Sequence, residues 1–218
     1  MPWQALCYVP PAFLFGSVLF SYHIPLWLAR VDIVQKSGDH NPGTANAFRY
    51  AGVPIGMLCL VLDMLKGALP VWLFIRRFGI MNPVTPLMML APIAGHVFTF
   101  WYPFRGGKGI ATAFGVLIGL FPFSQAAWVL AFWYLFFSLV VVVHPNERRT
   151  VYAFLFFVAT CAAGALWMHR LVPALGCMLT AMLPVYKNGA DIRRAENEMK
   201  RMPTQPTDAD VNGRERTA

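Results

Sequence analysis

Apolar positions along the chain gather into runs of roughly 20 residues, parted by short polar segments. A helix rises about 1.5 Å per residue, so such a run crosses a hydrocarbon layer of ~30 Å. The pattern predicts seven helical spans, at Pro11 to Ala29, Val53 to Phe74, Val84 to Trp101, Gly109 to Phe123, Gln125 to Val143, Thr150 to Met168 and Leu171 to Tyr186. The fourth is short, which suits a tilted or partly re-entrant helix. After Arg194 the apolar positions stop. Residues 195–218 read as a polar, disordered cytoplasmic tail behind one membrane domain, residues 1–194. The expected fold class is an all-α integral membrane protein, a single bundle of seven transmembrane helices.

Composition agrees. The chain is 57% hydrophobic and 13% charged, against about 25% charged in soluble domains. A net charge of +8 raises nucleic acid as a partner, but the cations sit between spans, where they report topology. Outer loops hold Arg76, Arg77 and Arg170, one span holds Lys66, and every other Lys and Arg falls on the opposite side. Cations favour the cytoplasm, so the N-terminus is expected outside and the C-terminus inside. No nucleic-acid partner is expected. Arg30 follows the first span and no cation precedes it, so it reads as a retained helix and not a cleaved signal. Cys7, Cys59, Cys161 and Cys177 lie scattered without C-x-x-C pairing. They read as reduced small hydrophobes, and no metal or cofactor is expected.

The candidate chemistry lies in loops assigned to the cytoplasmic face. In the stretch Gly95 to Thr112, a loop carrying Arg105, Gly106, Gly107, Lys108 and Gly109 leads into an apolar helix. Glycines let successive backbone N–H groups converge, a helix N-terminus adds partial positive charge, and Lys108 adds a full one. That combination suits phosphate. It is not a Walker A loop, because Tyr102 and Gly109 stand where that pattern needs Gly and Ser or Thr. The plainer alternative is a flexible turn whose Arg105 and Lys108 meet lipid head groups.

A second loop, Ser37 to Arg49, offers hydroxyls, amides and an arginine to a phosphorylated polyol. It also reads as an ordinary turn followed by a helix capped by Thr44 or Asn46. Asp63 and Lys66 lie three residues apart inside the second span, on one helix face. Each is the other's expected partner, either as a structural ion pair or as ligands. His96 is either a donor to phosphate or a satisfied interfacial histidine.

The Ser37–Arg49 loop, the segment Leu62 to Gly67 and the stretch Gly95–Thr112 together resemble the bacterial acyl-phosphate:glycerol-3-phosphate acyltransferases, the PlsY family. The resemblance covers the first 120 residues or so. It implies a seven-span inner-membrane enzyme with a cytoplasmic site, which moves a fatty acyl group from acyl phosphate to the 1-hydroxyl of glycerol 3-phosphate for phospholipid synthesis. By position, it implies that Lys108, Arg49, Ser37 and His96 act in catalysis. It assigns Gly38, Asn41, Gly43, Asn46, Gly106, Gly107, Gly109 and Thr112 to substrate phosphate. Acyl phosphate, glycerol 3-phosphate, membrane lipid and other lipid-synthesis enzymes are the implied partners.

The chain also departs from that pattern. The first loop carries two extra residues around Asp39 and His40. A serine after the fifth span is missing, with Thr150 the nearest hydroxyl. In the third motif Asn188 stands in a histidine's place and Asp191 in an asparagine's. A carboxylate beside phosphate adds repulsion, so altered or lost activity is one expectation. Two readings of His40 stand: a substitute for the missing histidine, or a solvated loop residue. A non-catalytic protein that binds phosphorylated lipid precursors is the alternative function. Acyl-CoA chemistry is disfavoured because no histidine has an aspartate five residues on, and transport because the polar residues gather at one face.

Overall fold

Hydrocarbon offers no partner to a peptide group, so an apolar chain satisfies its backbone internally by forming helices. The computed structural model describes residues 2–99 and 106–201. Its elements are α1 (Pro2–Leu6), α2 (Val9–Gly16), α3 (Phe20–Leu28), α4 (Ile33–Lys36), α5 (Thr44–Ala51), α6 (Val53–Phe78), α7 (Thr85–Phe98), α8 (Ile110–Ile118), α9 (Ala126–Leu135), α10 (Asn146–Met168) and α11 (Leu171–Arg201), with a π-helical turn Phe136–Val140 after α9. Three segments are long and apolar enough to cross a membrane: Trp3–Leu28, α6 and α10. Two shorter apolar helices are α7 and Ala126–Val140. The nine residues of α8 reach only about 13.5 Å, which keeps with a short or re-entrant fourth segment.

The first and last segments differ most from the sequence reading. The first span is not continuous, because Leu19 (φ −91°, ψ 79°) leaves helical geometry and parts α2 from α3. The carbonyls at the break find partners elsewhere: Thr99 Oγ1 donates to Ser17 O (2.7 Å) and Lys66 Nζ to Val18 O (2.6 Å). At the other end, α11 runs past Tyr186 and Arg194 to Arg201. Residues 202–218 lie outside the described residues, as do Tyr102 and Arg105.

Glycine sets the helix spacing at two crossings. A methyl on Gly16 of α2 would overlap Pro92 of α7, and one on Gly95 of α7 would overlap Phe13 of α2. The same reciprocity joins α6 and α8, where Gly67 lies against Thr112 and Gly115 against Met64. Small residues let backbones approach this closely, which is how helices gain packing where lipid competes for apolar contact. The main core is filled by Met88, Met89, Ile93, Leu117, Phe154 and Phe157. A smaller cluster of Ile24, Ile33, Val34, Ala47 and Cys59 pins the segment from α4 to α5 onto α3 and α6. The large side chains left outside, Trp167 at 86% exposure among them, suit a lipid-facing surface.

Candidate phosphate-binding site

The glycine-rich loop lies across the end of α7. A methyl on Gly106 would overlap the carbonyls of Val97 and His96, and one on Gly107 would overlap His96 Nε2. Gly109 is left-handed (φ +77°) and is the N-cap of α8. Each glycine therefore has a separate reason to be one: close approach at the first two, backbone hand at the third. The loop delivers Lys108 to a meeting point of three elements. Its ammonium lies 2.9 Å from Glu147 Oε1 on α10, 3.1 Å from Asp191 Oδ2 on α11 and 3.4 Å from Asp39 Oδ2 in the first loop. Burial pushes the Lys108 pKa down, but its hydrogen bonds to Glu147 and Asp191 prevail and hold it above its ordinary 10.5.

Asp39 organises the first loop. Asn46 Nδ2 donates to Asp39 Oδ1 and to Asn41 O, both at 2.8 Å, and the Asn41 amide donates to Asp39 at 3.3 Å. Burial raises the Asp39 pKa, yet the Asn46 hydrogen bond and the Lys108 charge bring it below the usual 3.8. The inserted residues thus tie Asn41 and Asn46 to Lys108. His40 does not reach the third motif: its Nδ1 donates to Val34 O at 2.9 Å, folding the ring back onto α4. Neither Thr44 nor Asn46 caps α5. The cap is Gly43, whose added methyl would press on the Asn41 amide. The Thr44 hydroxyl turns inward to Asp63 instead (3.3 Å).

Ser37 and Thr112 are buried, and their hydroxyls have no hydrogen-bond partner among the described residues. Gly38 is exposed with open space around its α-carbon, so packing does not explain it. Arg49 sits on the exposed face of α5, its guanidinium 5.7 Å from the Tyr50 ring centre, and makes no ion pair among the described residues. The geometry does not join it to Lys108. In the third motif Asn188 donates to Pro184 O within its own helix (2.8 Å). Thr150 likewise donates to Asn146 O (2.9 Å) within its own helix.

Beneath the loop, Asp63 and Lys66 form the expected ion pair at 2.8 Å, both fully buried. His96 joins them, its Nδ1 2.8 Å from Lys66 Nζ. Ser21 and Thr44 donate to the far oxygen of Asp63. The sequence reading missed one residue of the site and one pairing within it. The residue is Glu147, and its place in the first turn of α10 was the one available signal. The pairing of His96 with Lys66 spans 30 positions, and no spacing rule links separate helices. Among the described residues no group of three His, Cys, Asp or Glu side chains stands close enough to hold a metal ion. The three carboxylates instead surround an ammonium that a phosphate could share with them, oxygen replacing oxygen.

Known proteins resemble this chain over most of its length. A family model described as glycerol-3-phosphate acyltransferase matches residues 6–198. A glycerol-3-phosphate acyltransferase of Aquifex aeolicus is 36% identical over 178 residues, 79% of this chain and 89% of that protein. One from Pseudomonas paraeruginosa is 39% identical over 125 residues, 56% of this chain, and one from Myxococcus xanthus 42% over 120 residues, 55% of it. The matched stretch spans 65% and 62% of the length of those two relatives. Among solved structures, the lysophosphatidic acid form of PlsY, an integral membrane glycerol 3-phosphate acyltransferase, superposes with a TM-score of 0.76 at 27% identity, covering 89% of this chain and 93% of that one. Its glycerol 3-phosphate form gives 0.76 at 26% identity, covering 94% and 96%.

Proposed function

Since the chain belongs to the glycerol-3-phosphate acyltransferase family, we propose that it moves a fatty acyl group from acyl phosphate to the 1-hydroxyl of glycerol 3-phosphate. The hydroxyl oxygen attacks the acyl carbonyl carbon, the bond from that carbon to the phosphate oxygen breaks, and lysophosphatidate and inorganic phosphate leave. The hydroxyl proton passes to phosphate oxygen. The observation that carries the proposal is Lys108, held at the start of α8 beside the Gly106–Gly107 backbone. Its charge and the free amides at that helix end suit the anion on the leaving group. The buried hydroxyls of Ser37 and Thr112 suit further phosphate oxygens. His96 is a donor from below, and the first loop brings Gly38, Asn41, Gly43 and Asn46 to the glycerol phosphate side. Arg49 enters only if α5 or its side chain turns inward.

We further infer that seven segments cross the bacterial inner membrane with the N-terminus outside. On that topology Lys108, Asp39, Glu147 and Asp191 face the cytoplasm, where phosphorylated substrates and other lipid-synthesis enzymes are. The charge bias of the loops supports it. One observation favours a second reading: Asp191 and two other carboxylates already satisfy Lys108, as they would in a protein that binds phosphorylated lipid precursors without turning them over.

The test is turnover by the purified protein in lipid, with lysophosphatidate measured by mass spectrometry. Wild type should form product from acyl phosphate and glycerol 3-phosphate. Lys108→Met should lose about 10- to 150-fold in kcat/KM, the worth of a charged hydrogen bond at ~1.5–3 kcal/mol. No product from wild type, with phosphate compounds still raising its Tm, would favour the binding reading.

A further inference from the structure

Lys66 is a fully buried lysine, ion-paired to Asp63 Oδ1 at 2.8 Å. Its Nζ is hydrogen-bonded to Val18 O (2.6 Å) and to His96 Nδ1 (2.8 Å), and an ammonium donates in both because it has no lone pair to offer in return. The nitrogen of His96 that faces it must therefore be the bare, accepting one. In a neutral imidazole the hydrogen then sits on the other nitrogen. That nitrogen, Nε2, lies against the α-carbon of Gly107 in the glycine-rich loop.

We propose that Lys66 is a positioning residue that fixes His96 as its Nε2–H tautomer, so that His96 donates a hydrogen bond to a phosphoryl oxygen in the loop and does not act as a general base. A base needs a bare nitrogen facing the substrate, and here the bare nitrogen faces Lys66. A doubly protonated ring would set an N–H against an ammonium with no acceptor between them. The reverse arrangement, a neutral Lys66 amine accepting from Nδ1–H, is opposed by Asp63. That carboxylate takes hydroxyl donors from Ser21 and Thr44 on its far oxygen, which favours its charged form and hence a charged partner. The other charged side chain facing His96 is Lys187 on α11.

The donor half of this proposal rests on the phosphate-site reading, while the tautomer stands apart from it. Nitrogen-15 NMR of histidine-labelled protein in lipid, with the His96 signals identified by their loss in His96→Gln, reads both. Wild type should carry a proton on Nε2 and none on Nδ1 across about pH 5–8, where a free imidazole titrates. In Asp63→Asn/Lys66→Met, which removes both charges together, Nδ1 should gain a proton in part of the population and the ring should titrate. Added inorganic phosphate should shift the Nε2–H signal of wild type. A proton on Nδ1 in wild type overturns the proposal, and that spectrum decides even if the double variant fails to fold. An Nε2–H signal indifferent to phosphate overturns the donor role. Wild type with the expected tautomer but no acyl transfer leaves the role of Lys66 standing and removes the acyltransferase reading alone.

Discussion

Lys108 and Asp191 meet at 3.1 Å, joining the glycine-rich loop to the last helix. An incoming phosphate must share or displace this contact. Asp191→Asn should therefore lower the KM for acyl phosphate, by up to about fivefold, since a partly exposed ion pair is worth ~0.2–1 kcal/mol. Steady-state kinetics on the pair of proteins checks it. A raised KM would mean that Asp191 helps hold the substrate.

Acid should leave the first loop in place until well below neutrality. The folded Asp39 pKa lies below its ordinary 3.8, so its stabilisation is present above that value and fades as pH falls through the depressed one. Lys108 runs the other way. Its folded value lies above 10.5, so its contribution is complete below 10.5 and fades only as pH rises through the raised value. The Tm gap between wild type and Asp39→Asn should stay level from pH 7 to 5 and close only in stronger acid. A gap that narrows near pH 6 would point to a histidine instead.

Gly67→Ala and Gly115→Ala should each destabilise the protein by about 1–3 kcal/mol, the range for overpacking, because the added methyl meets backbone of the facing helix. Gly164→Ala in α10 should be neutral or slightly stabilising, since nothing lies within 4 Å of its added methyl. Thermal melts of the three variants separate close packing from a general dislike of substitution.

In a cysteine-free background, a thiol at Met81 should react with an impermeant maleimide added to whole cells, and one at Gly38 should not. Modification of Gly38→Cys from outside would reverse the assigned orientation.

Much of this architecture was legible because helical spans announce themselves by length and apolar content. The Asp63–Lys66 pair was legible too, since spacing within one helix fixes who can meet. What sequence could not carry was contact between helices. The partners of Lys108 come from three separated elements, and His96 meets Lys66 across two. The break at Ser17–Leu19 escaped for a related reason: its carbonyls are satisfied by Lys66 and Thr99, which lie far along the chain. The two readings of His40 could not be parted by sequence either, because the fold of its loop decides between them, and that loop turns the ring toward Val34.

That break also bears on biogenesis. As the ribosome feeds the first segment into the bilayer, the carbonyls of Ser17 and Val18 arrive without donors, each a cost of several kcal/mol in hydrocarbon. Their partners emerge only with the middle of α6 and the end of α7. In its broken form the segment thus depends on the rest of the bundle, and should sit stably only once α6 and α7 have been inserted and can close around it.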